Sequence, residues 1–179
     1  MDSRPLRRLC SGLGLLVLLA GWAQADDVFS VSAPTFKRGM PIPVKYGYHQ
    51  QNISPELRIA DVPAQARSLV LIVDDPDSPS GLWTHWLLWN VPPGTTDIAE
   101  GQVPANAVQG KNNFGNVRYD GPTPPLGMHR YYFHLSALDT TLSLPAGSTR
   151  ADLQKAAQGH VLQETETFGT YRSGLTLAR

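Results

Sequence analysis

The stretch SLVLIVDDPDSP, residues 68–79, joins an unbroken apolar run to three closely spaced carboxylates. Residues 68–73 carry no charge and are rich in valine, isoleucine and leucine, which is typical of a central strand covered on both faces. Asp74, Asp75 and Asp77 follow, and their like charges repel one another unless a positive or protonated group offsets them. The pattern therefore predicts a buried strand with a polar cluster at its carboxyl end. An Asp-Pro turn that closes a hairpin is the simpler interpretation of the same residues.

Six further segments have strand-like patterns, so strands dominate the predicted secondary structure. In one of them, Tyr131, Phe133 and Leu135 fall on one face of an extended chain, and more polar residues fall on the other. The last segment contains Glu-Thr-Glu-Thr, an alternation typical of an edge strand. The six predicted strands are residues 28–33, 42–48, 57–62, 83–91, 129–138 and 160–168.

A single helix is predicted near the end of the chain. Thr149 and Asp152 form the pattern of a capping box, Leu153 begins an apolar face, and Gly159 is placed to end the helix. Glycine and proline are abundant, and many of them lie in the long connection at residues 102–125, where such a loop is usually functional. We therefore predict a single-domain, mainly β fold resembling a β-sandwich, with a helix packed late in the chain.

The N-terminal 25 residues have the layout of a secretory signal peptide. Three arginines among the first eight residues precede an apolar run at residues 9–20 and the triplet Ala23-Gln-Ala25. The run is too short for a permanent membrane anchor, and a buried helix at the start of the domain is the alternative interpretation. We expect cleavage after about Ala25, which leaves residues 26–179 as one domain without a transmembrane segment, in the periplasm or outside the cell.

Charge and cysteine content exclude several classes of function. The chain has 15 basic and 15 acidic residues, which disfavours a nucleic-acid-binding protein with a basic face. Loss of the signal peptide would leave twelve basic and fourteen acidic residues, a formal charge of −2. The one cysteine, Cys10, would also be lost, so neither a disulfide framework nor a cysteine zinc site is expected.

Two more segments carry polar residues beside predicted strands. His85 lies between bulky apolar residues in the sequence WTHW, where a histidine is more often a hydrogen-bonded core residue than a functional one. Residues 119–131 form a loop rich in glycine and proline that delivers His129 and Tyr131 to the start of a strand. Rigid loops at strand ends commonly build ligand sites.

These segments, taken in order, closely resemble the phosphatidylethanolamine-binding protein family, also called Raf-kinase-inhibitor-like proteins. The resemblance covers roughly residues 28–172, and its bacterial branch is indicated by NISP at residues 52–55, NFGN at 113–116 and GTY at 169–171. The motifs that carry the resemblance are residues 52–57 (NISPEL), 75–79 (DPDSP), 83–86 (WTHW) with Asn90, 121–125 (GPTPP) and 129–131 (HRY).

The resemblance implies a β-sandwich of Greek-key strands with a few peripheral helices and a small anion pocket at one end. By match to the family's motifs, Asp75 is the pocket carboxylate and Asp77 supports the turn. His85 and His129 are the two pocket histidines, and Tyr131 is the pocket tyrosine. The residues expected to line the mouth are Trp83, Gly121, Pro122 and Pro125.

The chemistry of these side chains fits an anion. Two imidazoles can each donate an N–H to an anion, and Asp75 can accept the other N–H of a histidine and so fix its tautomer. The Tyr131 hydroxyl is a further donor. We expect a non-enzymatic site, without cofactor or metal, for phosphate, a phosphorylated lipid head group or a small carboxylate. Binding is expected to strengthen below about pH 6.5, where histidines become charged.

Three other functions remain open at this stage. Family members act as regulators of partner proteins, so the pocket rim could inhibit an envelope protease or another hydrolase. Two aspartates and two histidines could hold zinc or manganese in a metal-dependent hydrolase, although no His-x-x-x-His or His-x-His pair is present. A serine hydrolase is disfavoured because the chain has no Gly-x-Ser-x-Gly sequence.

Overall fold

The computed structural model describes residues 28–172, and it folds them into two antiparallel sheets and one α-helix. The predicted signal peptide, residues 1–25, and Cys10 lie outside the described residues. The larger sheet has five strands, in the spatial order β6 (Val108–Gln109), β4 (Trp83–Val91), β3 (Ser68–Asp75), β7 (Met128–Leu138) and β8 (Val161–Arg172). The smaller sheet has three, in the order β1 (Ser30–Ser32), β2 (Leu57–Ala60) and β5 (Asp97–Ile98). The predicted mainly β fold is confirmed.

Strand β3 is the middle strand of the larger sheet, as its apolar sequence predicts. Seven of its eight residues are buried, because one face packs into the main core and the other lies under α1 and the loops around it. Strand β7 alternates as expected, with Tyr131, Phe133 and Leu135 pointing into the main core. Among the strands of the larger sheet, β8 pairs only with β7, and it is an edge strand with an exposed first half, which confirms that prediction as well.

The predicted strand at residues 42–48 is wrong. The chain forms a single 3₁₀ turn at Val44–Tyr46, with Pro43 before it and the Gly47 N–H bonded to the Val44 carbonyl. Prolines at 41 and 43 lack the N–H groups that a ladder needs, so the segment follows the edge of β8 and turns away. The turn buries the ring of Tyr46.

Helix α1 (Arg150–Ala157) confirms the predicted capping box. The Thr149 hydroxyl accepts from the Asp152 N–H, and the Asp152 carboxylate accepts from the Thr149 N–H at 2.9 Å. Leu153 is fully buried against the outer face of the larger sheet, and Gly159 adopts a positive φ of 81° just beyond the helix. No helix within residues 28–172 is long and apolar enough to cross a membrane.

Candidate functional site

The candidate site forms where one end of β3 meets the beginnings of its two neighbours. Because β3 runs antiparallel to both β4 and β7, its carboxyl end lies beside their amino ends. Asp75, the last residue of β3, pairs with Trp83, and His85 follows two residues later on β4. His129 begins the buried face of β7 on the other side. Antiparallel pairing therefore brings three separate sequence motifs together at one end of the central strands of the sheet.

Asp75 and His129 form a buried hydrogen-bonded pair at this end of the sheet. The His129 Nδ1 donates to Asp75 Oδ2 at 2.8 Å, and the backbone N–H of Asp77 donates to Asp75 Oδ1 at 2.8 Å. The exposed fractions of Asp75 and His129 are 3% and 7%. Since each carboxylate oxygen has a donor, Asp75 is held in one orientation and in turn fixes the ring of His129.

Asp77 braces the turn after β3, the role implied by the resemblance. Its carboxylate accepts from Arg130 through Nε at 2.9 Å, through Nη2 at 2.6 Å and through the backbone N–H at 2.9 Å. These hydrogen bonds from Arg130, opposed by partial burial and aided by the charge of the guanidinium, lower the pKa of Asp77 to about 2. The turn is thus attached to the first residues of β7.

His85 is as deeply buried as Asp75, but its partner is a backbone carbonyl. Its Nδ1 donates to the carbonyl oxygen of Asp120 at 2.7 Å, and within residues 28–172 its Nε2 makes no hydrogen bond. Burial lowers the pKa of His85, although the Asp120 carbonyl and the charges of Asp75 and Asp74 act in the opposite direction. At neutral pH the ring is therefore uncharged, with its proton on Nδ1 and a free lone pair on Nε2.

The carbonyl that holds His85 belongs to a buried network that the sequence analysis missed. The fully buried Asp120 carboxylate accepts from Asn52 Nδ2 at 3.0 Å, Asn112 Nδ2 at 2.8 Å, Asn116 Nδ2 at 2.8 Å and Arg118 Nε at 3.1 Å. Burial alone would raise the pKa of Asp120, but the three amides and the Arg118 charge outweigh it, so the pKa is lowered. The asparagines in the NISP and NFGN segments were the available signal.

Aromatic rings enclose His85. The centroids of Phe114 and Tyr131 lie 5.3 Å and 5.2 Å from the imidazole, and Trp83 packs edge-on to Phe114 at 5.4 Å. The Tyr131 hydroxyl is buried and makes no well-formed hydrogen bond within the described residues. Burial and the nearby Asp75 charge raise its pKa far above the usual range, so the hydroxyl keeps its proton.

A small pocket of about 210 Å³ opens in front of His85 and Asp75. Of the nine predicted site residues, Asp75, Trp83, His85 and Pro125 line it. His129 and Tyr131 do not line it and instead contact Asp75 and His85. The other lining residues are Ser78, Pro79, Ser80, Phe114 and Thr123, so none of the described residues that line the pocket is a lysine or an arginine.

A larger, mostly apolar groove of about 760 Å³ adjoins the small pocket, and the two share Thr123 and Pro125. Pro122, predicted at the mouth, lies in this groove. Gly121 lines neither, because its N–H donates to Asn52 Oδ1 at 2.7 Å and its backbone packs directly against the Tyr46 carbonyl, where a Cβ atom would overlap. The groove is lined by Pro41, Ile42, Val44, His49, Gln50, Pro122, Thr123, Pro124, Pro125, Met128, Thr170, Tyr171 and Arg172.

Between residues 28 and 172, no three His, Cys, Asp or Glu side chains are grouped so that they could hold a metal ion. Asp75 and His129 are directed at each other, and the Nδ1 atom of His85 is occupied by a carbonyl.

Similar proteins share both the sequence and the fold of this chain. A UPF0098 protein from Methanothermobacter thermautotrophicus is 48% identical over 138 residues, which cover 74% of this chain and 91% of the relative. A UPF0098 protein from Pyrococcus abyssi is 45% identical over 168 residues, covering 89% and 92% of the two chains.

Two crystal structures resemble the fold. A phosphatidylethanolamine-binding protein homologue from Chlamydia trachomatis matches with a TM-score of 0.78 and 43% identity, covering 81% of this chain and 97% of its own. Escherichia coli YbcL, described as a member of the mammalian PEBP family, matches with a TM-score of 0.76 and 28% identity, covering 80% and 98%. The model of the family described as phosphatidylethanolamine-binding protein matches residues 32–172. The resemblance carried by the sequence motifs is therefore confirmed, and the chain belongs to the phosphatidylethanolamine-binding protein family.

Proposed function

We propose that this chain is an exported binding protein whose small pocket takes phosphate, a phosphorylated head group or a small carboxylate. The observation that carries the proposal is that Asp75 and His85 line one small pocket, with His129 bonded to Asp75 beside it. Two buried polar side chains in a cleft that is otherwise lined by aromatic, proline and hydroxyl side chains are typical of a ligand site. Family membership supports the same conclusion, because the family's pocket is an anion site.

The size of the pocket favours a small group over a whole organic ligand. A volume of about 210 Å³ is below the range of roughly 300–1,000 Å³ that is usual for drug-sized ligands. It equals the space of about seven water molecules at roughly 30 Å³ each, enough for a tetrahedral oxyanion and a short substituent. The rest of a larger ligand would extend past Thr123 and Pro125 into the apolar groove.

Binding, without catalysis, is the function that the hydrogen bonds favour. A serine nucleophile needs a histidine base within hydrogen-bond reach. The Ser78 hydroxyl instead accepts from the Ser80 N–H at 3.3 Å, and no serine hydroxyl of residues 28–172 bonds to His85 or His129. Each histidine is committed through Nδ1 to a structural partner, which suits recognition of a ligand by a rigid site.

Calorimetric titration with inorganic phosphate tests the proposal. We expect weak binding that is lost in His85→Asn, since asparagine can still donate to the Asp120 carbonyl but has no counterpart of Nε2. His134→Asn is the matched control, because His134 lies half-exposed on the outer face of the larger sheet beside Glu166. Equal affinity in the wild type and in His85→Asn, or no measurable binding to the wild type, would contradict the proposal.

Export is a separate part of the proposal and rests on the sequence of residues 1–25. Expression in a bacterial host should yield periplasmic protein that starts near Asp26. Mass spectrometry of the purified protein measures this start directly. An intact N-terminus on protein recovered from the cytosol would argue against export.

Regulation of a partner protein, including inhibition of an envelope protease, is a second candidate function. The apolar groove favours it, because Val44 and Met128 are exposed large apolar residues on its rim, with exposed fractions of 65% and 54%. A Val44→Glu variant should lose an envelope partner while it still binds phosphate. If a partner is retained by Val44→Glu and lost by His85→Asn, docking uses the small pocket and the groove has no part in it.

A further inference from the structure

We propose that a second ligand site lies on the outer face of the larger sheet, and that it takes a small organic amine, a protonated amino group on a compact apolar body. The site is a cleft between α1 and β8, which we call the outer cleft. It shares no lining residue with the small pocket or the apolar groove. The inference is therefore independent of the proposed function.

The outer cleft consists of two adjoining hollows, of about 430 Å³ and about 300 Å³. The larger hollow alone is within the range of roughly 300–1,000 Å³ that is usual for ligand sites. Because both hollows are bordered by the same side chains, a ligand in one is close to polar groups of the other. The shared lining residues are Ile72, Ser136, Gln154 and Glu164.

The larger hollow has an apolar floor. Strand β3 supplies Val70 and Ile72, and α1 supplies Leu153 and Ala157. Val70 and Leu153 are buried and belong to the hydrophobic core between the sheet and the helix. Val161 of β8, which also lines the hollow, is an exposed apolar side chain. A ligand with an apolar body would remove this apolar surface from water, which favours binding.

Most charged groups around the outer cleft already have partners. Glu166 accepts from Arg38 Nη2 at 2.9 Å, and His134 Nδ1 lies 3.2 Å from its other carboxylate oxygen. Arg150, in the smaller hollow, donates through Nε and Nη2 to the buried carboxylate of Asp74. These charges therefore offset one another without a ligand.

Glu164 differs from these groups. Its Oε1 accepts from Ser136 Oγ at 3.0 Å, and within residues 28–172 its Oε2 has no donor and its carboxylate has no cationic partner. The side chain is exposed and lines both hollows. A protonated amino group on a ligand in the cleft would supply the charged donor that this carboxylate lacks.

The neighbouring side chains suit an ammonium group. A primary ammonium has three N–H donors and needs acceptors beside the carboxylate. Gln154, which lines both hollows, and Thr165, which lines the smaller one, carry neutral acceptors. Lys155 also lines the larger hollow, but its long flexible stem allows its own ammonium to turn into water. A ligand with a carboxylate would instead be repelled by Glu164.

NMR titration of isotope-labelled protein with three probes tests the inference, at about pH 7.5 where exposed histidines are mostly uncharged. Phenethylamine carries an ammonium group, 2-phenylethanol has nearly the same shape without charge, and 3-phenylpropionate is negatively charged. We expect phenethylamine to bind with a Kd on the order of 1 mM, at least about threefold more tightly than 2-phenylethanol, and 3-phenylpropionate not to bind at the cleft. The backbone signals that shift should be those around Ser136, Gln154 and Glu164.

Three variants identify the charge that is recognised. In Glu164→Gln, the preference for phenethylamine over 2-phenylethanol should fall to about one, since the charge is gone. Glu56→Gln is the matched control, because it removes a carboxylate that pairs with Arg58 and does not line the cleft, and it should keep the preference. Lys155→Met removes a cation from the larger hollow and should leave phenethylamine binding as tight or tighter.

Several outcomes would overturn the inference and leave phosphate binding near His85 untouched. Equal binding of the three probes, or an unchanged preference in Glu164→Gln, would show that the cleft does not recognise an amine. Signals that shift only around the apolar groove, or no shift with phenethylamine in excess of the expected Kd, would show that the cleft is not a site. Weaker binding in Lys155→Met would contradict the assignment of the charge contact to Glu164.

Discussion

The two histidine-bearing sides of the site are built differently. On the β4 side, His85 donates to a backbone carbonyl, and a buried carboxylate with four side-chain donors holds that carbonyl in place. On the β7 side, His129 donates to the carboxylate of Asp75, and the adjoining turn is braced by the partly exposed pair of Asp77 and Arg130. Histidines of similar burial thus have different chemical roles, because one faces a neutral acceptor and the other a charged one.

The difference predicts that the two sides contribute unequally to stability. The β4 side contains several buried polar groups, and water cannot replace a hydrogen bond that one of them loses. This side should therefore contribute most to the stability of the site. The β7 side has an ion pair that water already reaches, so its contribution should be small and dependent on pH and salt. Perturbing each side in turn tests this division.

The largest effect is expected from Asp120→Ala. The substitution leaves the amides of Asn52, Asn112 and Asn116 without their shared acceptor, and we expect unfolding free energy to fall by about 3 kcal/mol. Urea unfolding of the purified variants measures the change. Asp97→Ala, at an exposed position of β5, is the matched control and should change stability by less than about 0.5 kcal/mol. A loss below about 1 kcal/mol for Asp120→Ala would mean that water replaces the carboxylate.

The sequence could predict the parts of the site that depend on local patterns. The apolar run of β3, the alternation of β7 and the capping box of α1 each lie within a few residues, and the structure has all three. The segment 42–48 also alternates in polarity, but its prolines remove the N–H groups that would have made it a strand.

The network around Asp120 could not be read from local patterns. Its asparagines come from segments about 60 residues apart, and the group that holds His85 is a backbone carbonyl, which every residue type possesses. The family motifs named His129 and Tyr131, but whether such residues line the cavity or support it depends on how the loops close. In the folded structure, His129 and Tyr131 lie outside the small pocket, where His129 contacts Asp75 and Tyr131 contacts His85.

Acid should weaken the β4 side through His85. Burial lowers the pKa of its ring in the folded state, whereas in the unfolded chain the ring titrates near its ordinary value of 6.5. Below that value the unfolded state takes up a proton that the folded state resists, so this contribution to stability is present above pH 6.5 and is lost as the pH falls. For one proton, the slope cannot exceed about 1.4 kcal/mol per pH unit.

Comparison with His85→Asn isolates this effect from the other histidines. The stability of the wild type relative to the variant should decrease between pH 7 and pH 5 when unfolding is followed in urea without phosphate. A difference that stays flat, or that grows in acid, would show that burial does not lower the pKa of His85 in the folded protein.

The smallest effect is expected from Arg130→Met on the β7 side. Methionine keeps the apolar stem and removes the guanidinium, whose pair with Asp77 has exposed side-chain fractions of 49% and 26%. Because water and salt screen the pair, we expect a loss of roughly 0.5–1 kcal/mol at low salt, and less at high salt. The lowered pKa of Asp77 sets the pH window: the contribution is present above the ordinary value of 3.8 and is lost as the pH falls through about 2. Arg58→Met, which removes a more exposed partner of Glu56, is the control and should change stability less. If Arg130→Met lowered the unfolding free energy as much as Asp120→Ala, the two sides would contribute equally to stability. A solvent-exposed ion pair would then stabilise the protein as much as a buried hydrogen-bond network, which would contradict the proposed difference.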